Sequence, residues 1–335
     1  MKAFATGLRK MTVVAITALG GISPAMAARI AYVSNADDGD IGIYRLLDSG
    51  ELQPGPRVKA ANVVMPMAVS PDRRFLYAAA RSKPYTVYVY SIDKATGAVT
   101  PASTAPLAES LPYISLDKTG RFLFGASYGG NVISVNAVGS NGRVADTPVQ
   151  VVPVGRNAHS IRVDDSNRFV YVPALGGDEI FMFNFDASSG KLSSNTRSMY
   201  LMKALTGPRH FVFSQDGKYL YALSKLLGTV TTFAVDAKTG LLTELSSASG
   251  LPPDSKLGPE APRGAVGGLA ALPRNTDNDI WAADIHTTPD GKFLYISERT
   301  SSTPGAFSVD PRPVTVSNCT PWDLERNASG LGAGA

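Results

Sequence analysis

Three histidines are all the imidazole in this 335-residue chain, and they sit in comparable phrases. His159 stands in AHSIRVDD, His210 in PRHFVFSQD and His286 in ADIHTTPDG. Each lies just ahead of a turn that leads into a run of alternating aromatic residues. A neutral imidazole can accept a proton. Arg209, directly before His210, and Arg299, in SERT, add guanidinium groups that can hold a carboxylate, a phosphate or a developing oxyanion. These groups together could handle a polar substrate. Each also has a structural role open to it: a histidine before a turn can bond backbone, and an arginine can bridge neighbouring repeats.

The elements that must position these groups are repeated. TPDGKFLY (288–295) reads as turn then strand, with Pro289, Asp290 and Gly291 supplying turn chemistry. The phrase recurs as SPDRRFLY, LDKTGRFLF, VDDSNRFVY and SQDGKYLY. Its aromatic anchors, Phe75, Phe122, Phe169, Tyr219 and Phe293, recur every 47 to 50 residues until a last step of 74. A second phrase, strand–Gly turn–strand, follows each of the first four copies, as in IFMFNFDASSGKL. A period near fifty with about four strands per unit predicts an all-β fold, a β-propeller. Full units are expected at 65–104, 111–153, 159–202 and 210–247. The opening segment, 28–52, reads as a blade that lacks its innermost strand.

In a propeller the innermost strands line the central channel. His159, Arg209, His210 and His286 all fall just before or at the start of such a strand. The pattern therefore predicts that they converge on one mouth of the channel. Asp72, Asp165, Asp216 and Asp290 are expected to cap their turns, and the aromatic anchors to pack between blades. Residues 249–279, rich in Pro and Gly, interrupt the period and read as a long loop.

Composition bounds the function. Charged residues make up 18 % and hydrophobic residues 44 % of the chain, as in a globular protein. Residues 1–27 carry Lys2, Arg9 and Lys10, a short apolar core and an Ala-Met-Ala site, which predicts an export signal cleaved after Ala27. The net charge of +4 then falls to +1, too little to argue for nucleic acid or an anionic membrane surface. A periplasmic or secreted monomer is expected. The single cysteine, Cys319, allows no intrachain disulfide.

The phrases AHSIRVDDSNRFVYVPAL, TGPRHFVFSQDGKYLYALSK and WAADIHTTPDGKFLYISERT resemble the seven-bladed propeller lactonases, which include bacterial 6-phosphogluconolactonases and fungal carboxymuconate-lactonizing enzymes. The resemblance runs from about residue 28 to 309. It implies hydrolysis of a small-molecule sugar lactone, with no cofactor and no metal. Opening a lactone needs a base for water and donors for the oxyanion. The resemblance implies that His159 is catalytic and that Arg209 and Arg299 bind the anionic part of the substrate; His210 and His286, set at the same mouth by their places in the repeat, are expected to bind substrate as well. It also places Lys225, in YALSKL, where the family has a glutamate. A lysine there cannot take a proton unless its pKa drops by several units. Lys225 is thus expected to bind substrate, and a non-catalytic exported propeller that binds a ligand or protein partner stands as the alternative. After Asp310 the alternation stops. Residues 310–335 read as an irregular tail, and the seventh blade as missing or incomplete, as a truncation near Asp310 would leave it.

Overall fold

The turn phrase builds one corner five times. In each copy a hydroxyl and a carboxylate two residues apart bond each other: Ser70 and Asp72, Thr119 and Asp117, Ser166 and Asp164, Ser214 and Asp216, Thr288 and Asp290. The member of each pair that comes earlier in the chain, Ser70, Asp117, Asp164, Ser214 or Thr288, then accepts the backbone N–H of the aromatic anchor five residues on. One expectation shifts here. In the corner that leads to Phe169 the cap is Asp164, not Asp165, because carboxylate and hydroxyl have exchanged places, as they have at Asp117 and Thr119. Asp165 instead pairs with Lys118 of the preceding blade.

The computed structural model describes residues 29–259, 277–311 and 314–318. They form six antiparallel sheets, one of three strands and five of four. We number them as blades one to six: 29–59, 64–106, 113–153, 162–201, 208–249 and 282–318. In each of blades two to six the strand order follows the sequence order. The first strands, Val64–Val69, Tyr113–Leu116, Arg162–Val163, Pro208–Phe213 and Ala282–Thr287, are the inner ones. Hydroxyls tie some of them together: Ser115 Oγ donates to Ile161 O at 2.6 Å, and Ser160 Oγ to Arg209 O at 2.8 Å.

Neighbouring blades lock through a repeated contact. The rings of Phe75, Phe122 and Phe169 press on Gly142, Gly190 and Gly240 of the next blade, where a Cβ would collide. These glycines have φ of +79°, +77° and +70°, so the turn needs glycine twice over. Arg74, Arg121 and Arg168 cover the same rings and donate to Ser140, Ala187 and Ala237 carbonyls across the joint. Buried aromatics such as Phe124 and Tyr171 fill the space between sheets. Each contributes roughly 1.5–3 kcal/mol.

Blade one is placed by Tyr32. Its hydroxyl donates to Gly97 O at 2.8 Å, as Tyr77 does to Gly142 O and Tyr171 to Gly240 O. Tyr77 and Tyr171 lie on second strands. Arg29–Asn35 is therefore a second strand too, and among the described residues blade one has no inner strand. At the other end the structure carries the repeat further than the sequence pattern does. Thr303–Pro311 continues into a hairpin with Val314–Asn318, which completes blade six inside the stretch read as an irregular tail. Pro311 and Pro313 interrupt the alternation that would have announced it. Residues 1–28, Cys319 and most of 249–279 lie outside the described residues; the flanks of the long segment meet in a bridge between Gly258 and Asp279.

Candidate active site

Inner strands begin at one end of their blades, and there those of blades two, five and six are bulged. In blade five the pairing runs Pro208 with Ser224, then Phe211 with Ala222, so Arg209 and His210 share one partner position. In blade six Ala282 pairs with Glu298 and Ile285 with Ile296, which does the same for Ala283 and Asp284. Adjacent residues on a regular strand face opposite sides; a bulge re-aims them. Arg209 Nη1 thus comes to 3.2 Å from His210 Nδ1. Asp284, two residues before His286 and on the same strand, reaches both histidines. Its Oδ1 lies 2.8 Å from His210 Nδ1 and its Oδ2 3.1 Å from His286 Nε2.

His159 enters from blade four. A bridge between Ala158 and Ala174 and the His159 N–H bond to Pro173 O, 2.9 Å, fix its backbone. Its ring lies 5.1 Å from that of His210 and 5.5 Å from that of Tyr128. Tyr113, at the start of the blade-three inner strand, stands 5.1 Å from His210 on another side. Two ring nitrogens, His159 Nδ1 and His210 Nε2, are buried without a hydrogen-bond partner in the protein. Buried polar atoms are normally satisfied. A pair left open on touching rings is what a site awaiting substrate or water would hold.

The electrostatics keep both rings neutral. Burial pushes the His159 pKa well below its usual value, and Arg209 and His210 add to this. Burial likewise lowers His210 to about 4, against the opposing pull of Asp284. Burial works to raise the Asp284 carboxyl, but the bonds from His210 and His286 outweigh it and hold Asp284 well below the carboxylate range. His286, mostly exposed, is raised by its bond to Asp284. Burial and then Arg299 lower Arg209 to about 10, so it stays charged.

Beside the histidines lies a cationic wall. Lys225 is only 7 % exposed, with Nζ 5.4 Å from the Trp281 ring centre; Arg299 Cζ lies 5.6 Å from the same ring. Glu298, next to Arg299, is occupied elsewhere. It accepts the N–H groups of Trp281, Thr300 and Ser301 and the Ser301 hydroxyl. Arg209 and Arg299 thus bring two guanidinium groups to the histidines, where Asp284 supplies a carboxylate. Among the described residues no group of three His, Cys, Asp or Glu side chains is arranged to hold a metal ion.

The structure thus brings together His159, Arg209, His210 and His286, and sets Lys225 and Arg299 on one indole. Asp284, Tyr113, Tyr128 and Trp281 were not singled out by the sequence. Asp284 was findable: on a strand, residues i and i+2 share a face, and the phrase ADIH puts a carboxylate two places before the histidine.

The family model for lactonases described as a seven-bladed β-propeller matches residues 28–323. A protein of Serratia proteamaculans named 6-phosphogluconolactonase is 35 % identical over 289 residues, covering 86 % of this chain and 80 % of that one. One of Pectobacterium carotovorum with the same name is 32 % identical over 299 residues, covering 89 % and 82 %. Among solved structures, a periplasmic gluconolactonase of Pseudomonas aeruginosa superposes with a TM-score of 0.72 at 23 % identity, covering 87 % of this chain and 81 % of that one. A Lactobacillus plantarum protein superposes with the same score at 22 % identity, covering 88 % and 82 %. These two likenesses show a shared fold. With the family model spanning all of the described residues, this chain belongs to the seven-bladed β-propeller lactonase family.

Proposed function

We propose that the chain is a lactonase, a carboxylic-ester hydrolase that opens a sugar lactone where the inner strands begin. The observation that carries this reading is the pair of open, buried ring nitrogens on His159 and His210, with Arg209 against them. His159 accepts a hydrogen of the attacking water. Arg209 and Arg299 hold the carbonyl oxygen as its charge develops, or the anionic arm of the substrate. Lys225, buried against Trp281 in the glutamate's place, serves as a further cation for that arm, not as a base. The guanidinium groups of Arg209 and Arg299 beside the imidazoles favour an anionic lactone over a neutral one. The names of the relatives support lactone hydrolysis, with 6-phosphogluconolactone as one anionic candidate. Export of a soluble monomer, with no nucleic-acid or membrane partner, rests on residues 1–27 and the small net charge.

Both readings are tested with the mature protein by following acid release from glucono-1,5-lactone and its 6-phosphate, each corrected for spontaneous opening. Hydrolysis above background, with the phosphorylated lactone preferred at low salt, is the expected result. No hydrolysis of either would contradict the enzyme and leave a ligand-binding propeller in its place.

A further inference from the structure

We propose that Asp284 is a positioning residue: it fixes His210 in the tautomer that leaves Nε2 as an open acceptor, so that His210 takes the proton of the attacking water while His159 holds the water's other hydrogen. The inference rests on the lactonase reading for its chemistry and on geometry for its tautomer. A carboxylate can only accept, so its 2.8 Å contact with His210 Nδ1 requires a proton on Nδ1. Neutral His210 then has its lone pair on Nε2, the atom that is buried and has no protein partner. Arg209 Nη1, also a donor, stands at 3.2 Å from the same Nδ1. Both contacts cannot be hydrogen bonds at once. The shorter bond to a charged acceptor prevails, and the Arg209 contact is one of packing.

Asp284 is built to hold one pose. Its Oδ1 also accepts the Ile285 N–H at 3.0 Å, its Oδ2 faces His286, and its own N–H donates to Ser297 Oγ at 3.1 Å. These bonds and the bulge orient the carboxylate. The groups that face His210 are Asp284, Arg209, His159, His286 and Tyr113, and burial with Arg209 keeps the ring neutral at pH 7.

The step follows. Water donates one hydrogen to His159 Nδ1 and one to His210 Nε2, leaving an oxygen lone pair for the lactone carbonyl carbon. As the new C–O bond forms, the proton on the His210 side passes to Nε2. The carbonyl oxygen becomes the oxyanion held by arginine. Collapse re-forms the carbonyl, breaks the bond to the ring oxygen, and returns the proton to that oxygen. The product is the hydroxy acid. Asp284 stabilises the transient His210 imidazolium. Arg209 disfavours charge on both rings, but of the two only His210 is bonded to Asp284, so the proton goes to His210.

Asp284→Asn tests this, because the amide can donate to Nδ1 and turn the ring's proton to Nε2. Long-range ¹H–¹⁵N spectra of the three imidazoles in the mature protein read the tautomer directly. The expected result is His210 protonated at Nδ1 in the unmodified protein and at Nε2 in Asp284→Asn. A fall of about 10²–10⁴-fold in kcat with KM within about threefold, and partial recovery in Asp284→Glu, should accompany it. An Nε2-protonated His210 in the unmodified protein, or a kcat within about threefold in Asp284→Asn, would overturn the assignment. Absence of hydrolysis by the unmodified protein would overturn the lactonase reading instead, and the spectra would still decide the tautomer.

Discussion

The two ends of the inner strands carry similar residue types and use them in opposite ways. At the turn end each of blades two to six repeats one device. Asp117 accepts from Arg121 N, Phe122 N, Thr119 N and the Thr119 hydroxyl, and Asn167 of the next blade adds its amide. A crevice of about 300 Å³ opens there between blades two and three, but Asp72 and Arg74 in its wall already bond each other. At the starting end the polar groups differ from blade to blade. Two of the ring nitrogens have no protein partner, and Arg299 lies close enough to like-charged Arg209 to lower it. Repetition with full pairing marks the end that holds the fold. Irregularity with open valences marks the end that meets a ligand.

Substitutions at the two ends should therefore separate stability from turnover. Arg209→Ala should lower kcat/KM by about 10²–10³-fold, the loss typical of one oxyanion donor, with little change in melting temperature. A loss of stability without a loss of rate would erase the contrast. Asp117→Ala should do the reverse. It strands several buried donors and should cost about 2–4 kcal/mol in urea unfolding while the folded fraction keeps its rate. A silent Asp117→Ala would show that the corner is not holding the blades.

Much of this was legible in the chain. The turn phrase and its spacing announce blades because a corner closed by a hydroxyl–carboxylate pair needs fixed residues at fixed offsets. The convergence of His159, Arg209, His210 and His286 followed from equivalent positions in a circular array. Asp284 and Tyr113 escaped because their importance lies in what the bulges and neighbouring blades bring to them, and neither changes the local pattern. Asp165 was mistaken for Asp164 because the pair exchanged places within the corner. Val314–Asn318 was hidden by flanking prolines.

The smallest effect expected is in pH dependence. His159 and His210 have folded pKa values below those of the unfolded chain, so the unfolded state binds protons first as pH falls. Their contribution to stability is whole above about pH 6.5 and is lost as pH falls towards about 4, where His210 itself titrates. His286 acts in the opposite sense, weakly because it is exposed: its contribution is whole below its unfolded value and fades as pH rises through the raised one. The melting temperature should drop between pH 7 and pH 5, and replacing both His159 and His210 by Leu should flatten that drop. An unchanged slope would mean that the two rings already carry charge in the fold.

The central claim, that the open imidazoles serve turnover and not stability, is tested most directly by His159→Leu. Lactone hydrolysis and thermal unfolding would be measured on the same preparation. The account predicts a loss of about 10²–10⁴-fold in rate with an equal or higher melting temperature, since a buried nitrogen without a partner has been removed. A rate within about threefold of the unmodified protein, or a melting temperature several degrees lower, would contradict it.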